Sequence, residues 1–282
     1  MQLKQENFPL TVKDHLVSNE EFTLYFDAEK EMLLTKPQPE ASKLSQYYQS
    51  DQYISHTDNK KGLIPFLYHI VKKRSLKNKL SLINSLKKND KSILDIGAGT
   101  GDFLSFIQSE FRSVTGIEPN QKARELAQEK GIFLEQDLKD VKGKLFDVIT
   151  MWHVLEHVPN LEETIRDVEA LLKPNGILII AVPNFYSFDA AYYKNFWAAF
   201  DVPRHLWHFS KASMNKLFSD KLSLLKISPM VFDSFYVSIL SEKNKSGKLN
   251  LFKAFFVGLR SNMYALSTKE YSSLIYCYQK PE

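Results

Sequence analysis

The sequence predicts an α/β protein, a parallel sheet with helices packed on both faces. Two observations carry this. From Ser92 onward, short runs of Ile, Val, Leu and Phe alternate with segments whose apolar residues recur at helical spacing. A glycine-rich turn, Gly97-Ala98-Gly99-Thr100-Gly101, joins the first of these runs to the first of these helices, as expected where a ligand meets the carboxyl ends of such strands.

Taken in order, strands are expected at 92–96, 113–117, 132–135, 146–151 and 176–182. Between them, Phe103, Phe106 and Ile107 mark one helix face, and Ala123, Leu126 and Ala127 a second. Leu161, Ile165, Val168, Leu171 and Leu172 mark a third, which stops at Pro174, Asn175 and Gly176. Two late runs, 223–227 and 273–278, lack a crossover helix pattern and are expected as an antiparallel edge pair. Residues 231–270 between them form an insertion, in which Phe252, Phe255, Phe256, Leu259 and Met263 at helical spacing predict a packing helix or lid.

Upstream, residues 8–35 predict a small hairpin or meander that ends at Lys36-Pro37-Gln38-Pro39. Residues 63–86 predict one or two helices, with Leu76, Leu80, Ile83 and Leu86 inward and the lysines as a solvated face rather than an RNA patch. The division expected is an N-terminal appendage over 1–60, a β-rich piece with a lid around Tyr47, Tyr48, Tyr53 and His56, followed by a main domain over 61–282. That domain carries an aromatic cap at 185–220 and the insertion at 231–270.

Composition narrows the class. At 282 residues, 44 % hydrophobic and 25 % charged, the chain is neither disordered nor collagen-like nor a membrane span. Its one cysteine, Cys277, permits no internal disulfide and no thiolate zinc site, which points to a reducing compartment, the cytoplasm. No signal peptide is expected. A net charge of +4 does not call for nucleic acid.

The glycine spacing selects the ligand. A dinucleotide fingerprint puts its last glycine three positions after the second, on a helix terminus that receives pyrophosphate. Here that position is Asp102, which would repel pyrophosphate; Asp95 and Asp102 would instead attract an ammonium group. Glu118 ends the second strand, where a carboxylate can accept from both hydroxyls of a ribose, and Gln136-Asp137 follows the third, where an acid can accept from an adenine amine.

These pieces, in this order over residues 90–184, resemble the class I S-adenosylmethionine-dependent methyltransferases, specifically a branch like the ubiquinone-biosynthesis methyltransferases. The resemblance implies a Rossmann-like seven-stranded mixed sheet with an antiparallel last strand, and S-adenosylmethionine as cofactor. By position it assigns Asp95, Gly97 and Gly99 to the donor loop, Glu118 to ribose, Asp137 to adenine and His153, after the fourth strand, to the donor's border. His153-x-x-Glu156-His157 superficially matches an inverted zinc-protease motif, but it follows a strand and is cut by Pro159, so no metal is expected. It is similar to the Glu-His-Val-Pro loop of small-molecule methyltransferases; relatives that hold a divalent ion here carry an acid where this chain has His153. The loop also lacks the Pro-Pro-aromatic run that DNA amino methyltransferases use to grip a flipped base.

After the fifth strand, residues 185–209 hold ten aromatics and the stretch Pro203-Arg204-His205-Leu206-Trp207-His208-Phe209, similar to a stretch of the same branch. An oxygen nucleophile gains from losing its proton, a task suited to histidine. His205 or His208 is therefore expected as base, and Arg204 as the partner of an acidic group on the acceptor. The expected acceptor is a small or lipid-like molecule; an RNA methyltransferase and a non-catalytic donor-binding scaffold are the alternatives.

Overall fold

The computed structural model describes residues 2–40, 43, 45–48, 63–87 and 91–282. Tyr53 and His56, expected in the lid, lie outside them. The chain opens with strands β1 (Leu10–Lys13), β2 (Glu21–Asp27) and β3 (Met32–Lys36). A long helix, α1 (Leu63–Leu86), leads to β4 (Ser92–Ile96), α2 (Asp102–Ile107), β5 (Ser113–Ile117) and α3 (Gln121–Gln128). There follow β6 (Phe146–Trp152), α4 (Leu161–Leu171), β7 (Leu172–Pro183), α5 (Phe188–Tyr193), β8 (Trp207–His208) and α6 (Lys211–Phe218). Then come β9 (Ser223–Pro229), α7 (Asp233–Ser246), α8 (Leu251–Thr268) and β10 (Ser273–Gln279).

The main sheet has the order β5-β4-β6-β7-β10-β9. Its first four strands are parallel, and β10 runs against both β7 and β9, so the late pair is antiparallel as expected. Alternate side chains point to opposite faces. Ile93, Val148, Ile179 and Cys277 pack under α1 and α2, while Leu94, Ile149, Ile180 and Tyr276 pack under α4 and α6. Burial on both faces is why these strands read as unbroken apolar runs.

Among the described residues the main sheet has six strands, against the seven expected. Residues 132–135 add only the bridge Ile117↔Glu135, held by Glu118 N donating to Glu135 O and Glu135 N donating to Gly116 O (both 2.9 Å). Phe133 points outward, 78 % exposed, so this edge segment has one buried side and no ladder beyond two bonds.

β1, β2, β3 and β8 form a second, antiparallel sheet in that order. The N-terminal meander is thus hydrogen-bonded to the aromatic segment, with Leu33 opposite His208 and Leu34 opposite Trp207. Phe185, Tyr193, Trp197 and Phe200 are buried in a core shared with Val12, Leu24 and Leu33 of this sheet. Most of the ten aromatics are therefore packing residues.

Two expectations about helices need correcting. The lysines from Lys72 onward are not simply a solvated face: Lys72 pairs with Asp102 at 2.7 Å, Lys79 lies over the Trp152 ring, and Lys91 is buried against Phe111. The insertion is two helices, but Phe252, Phe255, Phe256, Leu259 and Met263 face outward. The inward face of α8 is made of small residues, Ala254, Val257, Gly258, Ser261 and Ala265, which let it approach α7 closely; a Cβ on Gly258 would crowd Phe235.

Candidate active site

At the carboxyl end of β4 the chain turns directly into α2. Gly97 N and Ala98 N both donate to Ile117 O, at 2.8 and 2.9 Å, which pins the turn to the end of β5. Gly97 sits at φ +71°, where a side chain is strained, and a Cβ there would run into Val154 of the loop after β6. Gly99, at φ +55°, differs: a Cβ would meet nothing within 4 Å, so its backbone borders open space. Glu118 faces this cradle from the end of β5, its Oε2 accepting from Gly99 N and its Oε1 from Asn120 N, both at 2.9 Å.

Beneath the turn, Asp95 is buried and accepts from Thr150 Oγ1 at 2.6 Å. Burial pushes its carboxyl up to about 7, against the Thr150 hydrogen bond and the Lys79 charge. Lys79 Nζ lies 4.2 Å from the Trp152 ring centroid and 5.5 Å from that of Phe103. Burial brings this ammonium down to about 8, against the pull of Asp95 and Asp233. The indole Nε1 of Trp152 is buried with no hydrogen-bond partner, which is uncommon for a tryptophan N–H. Spacing alone hid both groups, since Lys79 falls among helix lysines and Trp152 ends an ordinary buried strand.

The other acids behave differently. Asp102 is ion-paired with Lys72 and with Lys130 (3.0 Å), so the expectation that its charge serves a ligand ammonium is not supported. Asp137 is exposed and caps a short 3-10 helix over Leu138–Val141, its Oδ1 accepting from Lys139 N at 2.9 Å.

The loop after β6 starts with His153 at φ +58°. Its Nδ1 lies 3.3 Å from Glu156 Oε1 and its Nε2 3.1 Å from Asp233 Oδ2 at the start of α7. Burial opposes the charge on this ring, but the two carboxylates prevail and push its pKa up to about 10. His153 is a charged bridge from the loop to the insertion. Glu156 is 1 % exposed, and its Oε2 has no hydrogen-bond partner. Burial alone would raise this acid, yet His153 holds it below the usual carboxylate range.

His205 presents its ring to the same place. Its Nδ1 lies 2.9 Å from Ala199 O and must donate to that carbonyl, which leaves Nε2 as the proton-accepting atom of the neutral ring. Its centroid is 4.5 Å from that of His157. Burial brings His157 down to about 4, and its Nδ1 lies 3.1 Å from both Tyr48 OH and Arg204 O. Glu156, His157 and His205 each offer one atom in a group no wider than 4.8 Å, a set that could hold a divalent ion.

His208 and Arg204 are engaged elsewhere. Thr35 Oγ1 donates to His205 O at 2.7 Å, so the His208 Nε2 3.0 Å away donates to Thr35. Burial keeps His208 well below its ordinary pKa. The expectation that Arg204 meets an acidic group of the acceptor is corrected by its contacts. It is 1 % exposed, its Nε and Nη2 hold Asp201, its Nη2 also holds Asp14 at 2.8 Å, and its Nη1 donates to Tyr47 O at 3.0 Å.

Comparison with known proteins gives this geometry a family. A model described as a methyltransferase domain matches residues 68–221, more than half of the chain. The ubiquinone biosynthesis O-methyltransferase of Actinobacillus pleuropneumoniae serotype 5b is 34 % identical over 108 residues, covering 33 % of this chain and 46 % of that protein. The protein of the same name from Vibrio vulnificus (strain YJ016) is 33 % identical over 121 residues, covering 38 % and 52 %. The chain therefore spans about half the length of the curated relatives it matches. The solved structure of the N-methyltransferase NodS from Bradyrhizobium japonicum WM9, in complex with S-adenosyl-L-homocysteine, aligns over 86 % of this chain and 98 % of that one. Its TM-score is 0.52 at 15 % identity, a likeness of fold. With an open glycine cradle, a carboxylate aimed into it from the next strand and a matching domain model, this chain belongs to the methyltransferase-domain family, in its class I, S-adenosylmethionine-dependent form.

Proposed function

We propose that this chain transfers a methyl group from S-adenosylmethionine to an oxygen of a small-molecule or lipid-like acceptor. When bound, the donor would supply a methyl group on a sulfonium, open to in-line attack by an oxygen nucleophile with S-adenosylhomocysteine, a neutral thioether, as leaving group. Gly99 leaves room for it, Gly97 lets the turn pack against the loop after β6, Glu118 takes the ribose hydroxyls, and Asp137 takes the adenine amine. Asp95 faces the amino-acid ammonium, while Lys79 and the orphan N–H of Trp152 suit the carboxylate. His153 fixes the rim through its two carboxylate contacts.

The observation that carries the acceptor half is the His205 ring, with Nδ1 committed to Ala199 O, Nε2 4.0 Å from Asp201 Oδ2, and the buried Glu156 in the same cluster. His205 takes the proton of the acceptor's hydroxyl at Nε2, and Glu156 stabilises the imidazolium that forms. His208, which donates to Thr35, supports this arrangement from the second sheet. The piece over 1–60 and the cap over 185–220 serve the acceptor side. The test is turnover of catechol-type and lipid-linked hydroxyl acceptors by wild type and His205→Asn. We expect kcat to fall about a hundredfold with S-adenosylhomocysteine affinity unchanged; equal turnover would remove the base.

A further inference from the structure

Helix α8 is built inside out for a helix packed in a soluble domain. Its large apolar residues face outward, with Phe252 76 %, Leu266 64 % and Met263 63 % exposed, and Phe255, Phe256 and Leu259 beside them. Its small residues face the protein. A contiguous apolar face of this kind marks an interaction site rather than a core. The face continues onto the start of α7, where the Phe235 ring stacks on Phe255 at 5.6 Å and Val231 O accepts from Asn262 Nδ2.

Charge identifies what covers it. From residue 243 to 269 the chain carries Lys243, Lys245, Lys248, Lys253, Arg260 and Lys269 and no acidic residue; of the acids that flank this stretch, Glu242 holds Lys253 at 3.2 Å and Glu270 holds Lys211 at 2.8 Å, which leaves the stretch net basic. Arg260 and Lys245 also line an aromatic cavity of about 620 Å³ beside α8, where they lie over the rings of Phe188 (5.2 Å) and Tyr192 (5.7 Å). A second copy placed two-fold on this face would bring cations against cations. An anionic lipid surface meets both demands, apolar depth for the phenylalanines and phosphates for the lysines. No helix among the described residues is long and apolar enough to cross a membrane, so the fitting geometry is one that lies on the surface.

We propose that the outer face of α8, with the first turn of α7, docks this protein on an anionic phospholipid bilayer. Asp233, the first residue of α7, holds His153 of the candidate active site, so docking sets the rim of that site at the lipid surface. The proposal stands without the methyl-transfer reading, because its measurement involves no turnover.

The experiment is flotation of the full chain with vesicles of phosphatidylcholine alone and with about a third phosphatidylglycerol. Wild type should float with the anionic vesicles and much less with the neutral ones, and high salt should weaken the binding. Phe252→Asp/Phe256→Asp should reduce anionic-vesicle binding about tenfold or more. Both positions are exposed, and unchanged helicity with unchanged S-adenosylhomocysteine affinity would show the variant folded. Failure of wild type to float with anionic vesicles, equal flotation with neutral ones, or a dimer that the double variant makes monomeric would overturn the proposal.

Discussion

The donor side and the acceptor side of this protein are built by different means. The donor side is local: a strand, a glycine turn and a helix are consecutive in sequence, and Glu118 reaches Gly99 from only 19 residues away. The acceptor side is assembled from a distance. Arg204 meets Asp14 across 190 positions, and Thr35 meets His208 across 173. The contrast predicts that changes on the donor side affect binding first, whereas changes on the acceptor side affect the fold first.

The largest expected effect would break that contrast if it failed. Gly97→Val adds a branched side chain at positive φ against Val154, so S-adenosylhomocysteine binding should be lost to beyond a hundredfold, with about 2–4 kcal/mol of stability lost from strain and overpacking together. Calorimetry and thermal unfolding measure the two parts. Next in size, Arg204→Met leaves Asp14 buried without its guanidinium partner and should destabilise the fold by about 3–5 kcal/mol, read by urea unfolding. The folded variant should still bind S-adenosylhomocysteine; tenfold weaker binding would mean that the two sides are coupled. Smaller again, Glu118→Gln keeps the shape but not the charge and can accept from only one of Gly99 N and Asn120 N, so it should weaken the same ligand about tenfold and cost about 1 kcal/mol of stability.

The same contrast decides what could be read from the sequence. Apolar runs marked β4, β6 and β10 to within a residue at each end, because burial on both faces leaves a continuous signal, whereas β5, an edge strand with Ser113 exposed, was marked by Val114 and Ile117. The glycine spacing and Glu118 were legible for the same local reason. β8 is two residues long, too short for any period, and its pairing with β3 has no local trace. Arg204 looked like a ligand-binding arginine because its partners, Asp14 and Asp201, are supplied by the fold. In α8, one stripe of large residues and one of small residues both recur at helical spacing, so periodicity identified a helix but not which stripe faces in. Packing settled it, through the close approach of Gly258 to Phe235.

The smallest effect tests whether donor binding and protonation are linked. Asp95 is held near 7 in the folded protein by burial, well above its unfolded value of about 4. A folded-state pKa that is raised means the native state binds the proton more tightly. The associated stability is complete below about pH 4 and is lost as the pH rises through about 7. Apo protein should therefore lose stability between pH 4 and 7 by an amount that Asp95→Asn removes, as thermal unfolding across that range would show. A ligand ammonium favours the ionised carboxylate, so S-adenosylhomocysteine binding should tighten severalfold from about pH 6 to 7 in wild type, below the range in which Lys79 loses its charge, and stay flat over that interval in Asp95→Asn. A flat wild-type profile would mean that the buried carboxylate serves Thr150 and the turn alone, and would move the ammonium partner elsewhere in the cradle.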